Sequence, residues 1–121
     1  MVRVLVVEDL ELLRRLVERF LKKIAEDRKE ECQSTIVPSA RDAIETCKTN
    51  DFDLAFIDVD LGMDMNGLEL ARRLRESKPT LRIIMMSSEP GYGSESVSNF
   101  DGFMQKPFTM DEFRYFAFEK K

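Results

Sequence analysis

Four short apolar runs, each stopped abruptly by polar side chains, constrain the fold of this chain more than any other feature. Val4-Leu5-Val6-Val7 stops at Glu8-Asp9, and Leu54-Ala55-Phe56-Ile57 stops at Asp58. Ile83-Ile84-Met85-Met86 stops at Ser87-Ser88, and Gly102-Phe103-Met104-Gln105 at Lys106-Pro107. Continuous apolar runs of this length are typical of parallel strands covered on both faces. A weaker strand candidate, Cys32 to Val37, closes at Pro38.

Helical periods fill the gaps. Leu12, Leu13, Leu16, Val17, Phe20, Leu21 and Ile24 recur at three- and four-residue steps, the apolar stripe of a helix. Ala40, Ala43, Ile44 and Cys47 mark a second, with Ser39 placed to cap it. Leu68, Leu70, Ala71 and Leu74 mark a third after the loop at Asn66-Gly67, ended by Pro79. Thr109 caps a short final helix carrying Met110, Phe113 and Phe116. Strands alternating with helices imply right-handed βαβ units, and hence an α/β, doubly wound parallel sheet. A chain of 121 residues fits one domain, residues 1–121. Between Glu89 and Asp101, Gly91, Gly93 and three serines predict a weak or missing fourth helix.

Composition narrows the function. A net charge of −4, with bases and acids intermixed, predicts no direct nucleic-acid binding. No apolar run approaches the ~20 residues of a membrane span, and Arg3 inside the first strand leaves no room for a signal peptide. Together with two unpaired cysteines, Cys32 and Cys47, this predicts a cytoplasmic location. The chain has no histidine, which excludes a phosphohistidine donor, a His-based hydrolase and a His-ligated zinc enzyme.

In a doubly wound sheet, ligands bind beyond the carboxyl ends of the strands. That edge gathers Glu8, Asp9, Asp58, Ser87 and Lys106. Two carboxylates ~4 Å apart repel by roughly 4 kcal/mol at an effective dielectric of ~20. A hard divalent ion relieves this, with Asp9 and Asp58 as ligands, Glu8 directly or through water, and a backbone carbonyl near Asp60. A carboxylate beside such an ion can attack phosphorus. The charge that spreads over three phosphoryl oxygens would then meet the metal, the Lys106 ammonium and the Ser87 hydroxyl. Singly, each residue has a plainer role as a cap, a turn or a solvated loop residue. The four strand ends taken together favour the chemistry.

With VLVVED, LAFIDVDLGMDMNGLEL, RIIMMSSE and GFMQKPF spread over nearly its whole length, the chain resembles the receiver domain of two-component response regulators. The resemblance implies a flavodoxin-like, five-stranded sheet of order 2-1-3-4-5. It implies Asp58 as phosphoacceptor, Glu8 and Asp9 as the acidic pair for Mg²⁺ or Mn²⁺, and Ser87 and Lys106 as phosphoryl contacts. It implies Ser87 and Phe103 as switch residues, and Asp60 and Glu89 as residues that tune phosphoryl lifetime. The implied donor is a histidine kinase or histidine phosphotransfer protein. The implied protein is a monomer or weak dimer that catalyses only its own phosphorylation and dephosphorylation. Two departures stand out. The loop after Asp58 is one residue longer than usual and lacks its customary proline, and Ala25 to Glu31 lengthens the first helix or its exit.

Two rival functions use the same residues. Asp58-Val59-Asp60 also resembles the nucleophile and general acid of haloacid-dehalogenase-type phosphatases, but those place their acidic pair last, and here Glu8-Asp9 comes first. A receiver-like interaction module that never takes phosphate would need none of Asp58, Ser87 and Lys106.

Overall fold

Alternation along the strands decides which layer each apolar side chain joins. The computed structural model describes residues 1–62, 65–89 and 100–119. Its elements run β1 (Val2–Val7), α1 (Glu11–Arg28), β2 (Cys32–Val37), α2 (Ala40–Thr49), β3 (Leu54–Asp58), α3 (Gly67–Ser77), β4 (Arg82–Ser87), β5 (Gly102–Gln105) and α4 (Met110–Arg114). The last helix widens into a π-type segment over Tyr115–Glu119. All neighbouring strands pair in parallel, in the order β2-β1-β3-β4-β5. This is the expected order. The segment expected to hold a weak fourth helix lies, over residues 90–99, outside the described residues.

Leu5 and Val7, Ala55 and Ile57, and Ile83 and Met85 face one core, closed by Ala40, Ala43 and Cys47 of α2 and Leu70, Ala71 and Leu74 of α3. Their neighbours Val4 and Val6, Leu54 and Phe56, and Ile84 and Met86 face the other, closed by Val17, Leu21 and Ile24 of α1 and by Phe113 and Ala117. Among the described residues, three helix starts carry side-chain caps. Ser39 Oγ accepts from the Asp42 N–H, Asn66 Oδ1 accepts from the Glu69 N–H, and Thr109 forms a reciprocal capping box with Glu112.

The helical stripe expected on α1 needs correction. Leu12 is 80% exposed and Leu16 38% exposed, so neither belongs to the core. The reason is angular: at about 100° per residue, Leu12 lies about 140° around the helix from Val17. The buried face follows Val17, Leu21 and Ile24, with Leu13 and Phe20 at its margin. The lengthening near Ala25 resolves as further helix. It runs to Arg28 and stops where Lys29 turns left-handed at φ 55°. Arg28 then reaches across to Glu119 and lies over the Phe118 ring, tying the end of α1 to the C-terminal segment.

Phe113 holds that segment to the sheet. It is fully buried, with ring centroids 4.6 Å from Phe56, 4.9 Å from Phe108 and 6.0 Å from Phe20. Phe113→Ala is expected to destabilise the protein by about 3–5 kcal/mol in urea unfolding, as large-to-small changes in cores do. Leu12→Ala, on the open face of α1, should stay within about 0.5 kcal/mol of wild type.

Candidate functional site

The sheet register delivers the site. Val7 pairs with Ile57, so Glu8 follows beside Asp58, and Ser87 pairs with Gln105, so Lys106 follows next to the end of β4. The backbone ladder runs on at these ends. The Glu8 N–H donates to Val37 O (3.1 Å), the Val59 N–H to Met86 O (2.9 Å), and the Lys106 N–H to Ser87 O (2.8 Å). Glu8, Asp58 and Lys106 also keep the strand parity of Val6, Phe56 and Met104, so all three side chains emerge towards the α1 layer.

There they meet. Lys106 Nζ lies 2.8 Å from Glu8 Oε1 and 3.3 Å from Asp58 Oδ2. Glu8 and Asp58 are buried, at 0% and 3% exposure, and Lys106 is half-buried. Glu8 Oε2 accepts from the Leu10 N–H, and Asp58 Oδ1 accepts from the Asp60 N–H. The exposed Asp9 completes the group: one carboxylate oxygen from each of Glu8, Asp9 and Asp58 lies within 4.8 Å of the others.

Three carboxylates against one ammonium leave two negative charges when all are ionised. Burial pushes the Asp58 carboxyl above the usual carboxylate range, although Lys106, Glu8 and the Asp60 N–H all pull the other way. Asp9 is raised too, first by burial and then by Glu8. Burial also works against the Lys106 ammonium, but Glu8 and Asp58 outweigh it and hold the lysine above its ordinary value. A hard-oxygen donor set with surplus negative charge fits Mg²⁺ or Mn²⁺.

The sequence-predicted residues divide into two groups. Glu8, Asp9, Asp58 and Lys106 converge. Glu8, expected to serve the metal, has one oxygen on Lys106 and the other on the Leu10 N–H while remaining in the acidic trio. The side chains of the others lie outside this cluster. Ser87 is fully buried at the end of β4, its Oγ accepting from the Glu89 N–H. Phe103 is half-buried against the opposite core, while Asp60 and Glu89 are exposed.

Sequence reasoning missed two residues. Gly67 packs so closely under the acceptor strand that a Cβ there would lie 2.0 Å from the Asp58 carbonyl oxygen. Its Asn-Gly pair reads in sequence only as a turn. Arg14, in the first turns of α1, donates from Nη1 to the carbonyls of both Glu8 and Asp9. Its only sequence signal is an arginine five residues after the acidic pair.

A family model described as the response regulator receiver domain matches residues 4–116. The autoinducer 1 sensor kinase/phosphatase LuxN of Vibrio campbellii is 31% identical over 114 residues, covering 93% of this chain and 13% of LuxN. The response regulator ArlR of Staphylococcus saprophyticus is 28% identical, covering 93% of this chain and 49% of ArlR. The chain therefore spans half or less of the length of these relatives. Among solved structures, the response regulator TrrA of Thermotoga maritima, in complex with Mg²⁺-BeF, superimposes with a TM-score of 0.80 at 26% identity, covering 94% of each chain.

The raised carboxyl of Asp58 has a definite sign. Its folded-state pKa lies above the unfolded value, so the fold loses stability as pH rises through that raised value. In magnesium-free buffer, Asp58→Asn should therefore melt above wild type at pH 7. The gap should narrow as the pH falls towards about 4, near the ordinary aspartate value. Thermal melts of both proteins across this range check the trend, and a gap that widens at low pH contradicts it.

Proposed function

The chain belongs to the response regulator receiver domain family of two-component signalling, and from that premise we propose that Asp58 is its phosphoacceptor. The observation that carries this reading is the convergence of Lys106 and the acidic trio on a buried Asp58. A carboxylate oxygen of Asp58 attacks phosphorus as the bond from phosphorus to a donor imidazole nitrogen breaks. The product is an aspartyl phosphate, and the donor histidine is released with its nitrogen electron pair. Asp9 and Asp58 would hold the divalent ion, with Glu8 directly or through water and the main chain at Asp60. When bound, that ion supplies the charge neutralisation that phosphoryl transfer needs.

Lys106 then passes from the Asp58 carboxylate to a phosphoryl oxygen, and the Ser87 hydroxyl donates to another. Ser87 and Phe103 carry the change of state outward along β4 and β5. Asp60 and Glu89, exposed near the acceptor, set the access of water and so the phosphoryl lifetime. The donor is a protein of the sensor-kinase or histidine-phosphotransfer kind. Leu10, Leu12 and Leu16 are exposed on the α1 side, beside a groove of about 290 Å³ formed by Leu13, Leu16, Pro107, Phe108 and Lys106. An exposed apolar patch of this kind suits docking of a macromolecule better than capture of a small ester. Residues 1–121 act as one receiver unit, cytoplasmic and monomeric or weakly dimeric, with no contact to nucleic acid or membrane. No helix among the described residues is long and apolar enough to cross a membrane.

With Mg²⁺ and a small acyl-phosphate donor, intact-mass measurement should find one phosphoryl group on the wild type and none on Asp58→Asn. Full labelling of the Asn variant sinks the assignment, and many turnovers of a small phosphate ester by the wild type would favour the phosphatase instead. Lys106→Ala should still bind Mg²⁺, because it removes a competing cation. It should lose the amide shifts that phosphorylation produces in β4 and β5. Shifts equal to those of wild type in that variant would break the proposed link.

A further inference from the structure

The acidic pair sits on the three-residue turn Glu8-Asp9-Leu10 between β1 and α1, and Leu10 leads directly into the helix. A helix start leaves several N–H groups unpaired, and a Ser, Thr, Asp or Asn at its cap ordinarily fixes the entry. Here the cap residue is Leu10, which has no side chain able to do so. The turn is held from the helix side instead. Arg14 Nη1 donates to Glu8 O at 2.9 Å and to Asp9 O at 2.8 Å, and the Arg14 N–H donates to Leu10 O at 3.0 Å. The guanidinium thus binds two successive carbonyls of the turn, and the Arg14 N–H adds the first ordinary helical bond. Two of these bonds come from an ionised donor, which makes them stronger than neutral ones.

We propose that Arg14 is a positioning residue for the metal site: its guanidinium fixes the backbone of Glu8 and Asp9 so that their carboxylates gather with that of Asp58. The sign of its effect separates this from a role as a nearby charge. A guanidinium this close to the acidic trio opposes a second cation, so if charge were its only contribution, removing it would tighten Mg²⁺ binding. Positioning demands the reverse. Loss of an outer partner of metal ligands typically costs about tenfold or more in affinity.

The inference rests on the acidic trio being a magnesium site, and the test keeps the two ideas apart. Mg²⁺ is titrated calorimetrically into wild type and Arg14→Met, and the amide signals of residues 8–10 are recorded without metal. The expected result is about tenfold weaker binding in Arg14→Met, with displaced amide signals at Glu8, Asp9 and Leu10 in the metal-free protein. Equal or tighter Mg²⁺ binding, or unmoved metal-free signals, overturns the role of Arg14. If the wild type itself fails to bind Mg²⁺, the magnesium reading falls, and the metal-free signals still decide whether Arg14 sets the turn. Should Arg14→Met lose the wild-type melting transition, Arg14→Lys is measured instead. It keeps the charge and gives up the planar guanidinium, and a loss of about threefold is expected, with unchanged affinity again overturning the proposal.

Discussion

Everything at the carboxyl edge of the sheet depends on one half-buried lysine shared by two buried carboxylates. Lys106 holds Glu8 at 2.8 Å and Asp58 at 3.3 Å where neither acid is open to water. Burying charge is expensive, and pairing repays it only when geometry and further hydrogen bonds are good. The further bonds here come from the main chain, from the Leu10 N–H to Glu8 and from the Asp60 N–H to Asp58. Even so, one ammonium faces three carboxylates, and burial leaves Asp58 raised above the usual range. The edge is therefore short of positive charge by construction, and the rest of the molecule supplies the stability that lets it remain so.

That stability comes from the two cores. Strands β1, β3 and β4 are almost wholly buried and send alternate side chains to opposite layers. A slip of one residue would exchange the layers on every strand and turn Glu8 and Asp58 away from Lys106. The hydrophobic pattern that fixes register thus fixes the site as well. Close packing at Gly67 extends the same control to the acceptor, because the start of α3 leaves no room for any shift of the Asp58 carbonyl in its direction.

Much of this was legible in the sequence. The apolar runs gave the strands, their polar ends gave the site, and Ser39 and Thr109 gave two helix caps. What escaped has a common physical origin. The exposure of Leu12 and Leu16 depends on which face of α1 meets the sheet, and a stripe of seven apolar residues over 13 positions is too wide to show its own centre. The Glu8–Lys106 bond joins residues 98 positions apart, and sequence reading set Lys106 only against the phosphoryl group. Arg14 and Gly67 act on backbone atoms, through carbonyls and through the absence of a side chain. Their contributions leave no polar or apolar pattern to read.

Because Lys106 is shared, the site responds to charge as a unit. A divalent ion held by the carboxylates would offset the deficit that Lys106 only partly meets, and would so loosen the lysine's hold on Glu8 and Asp58. On the proposed reading, a phosphoryl group on Asp58 then adds negative charge farther out and draws the ammonium after it. The backbone of Lys106 is tied to its neighbour. Its N–H is bonded to Ser87 O, and β5 lies against β4 through four residue pairs from Ile84 and Gly102 to Ser87 and Gln105. On the proposed reading, a pull on the lysine that reaches its backbone would pass into the outer strand and its neighbour, which hold Phe103 and Ser87. The acidic pair is braced differently, by Arg14 on the carbonyls of the β1–α1 turn. One side of the charge cluster is thus tied to helix α1 and the other to an edge strand at the margin of the sheet. On the proposed reading, this asymmetry would direct a change of charge at Asp58 towards β5 and not back into α1.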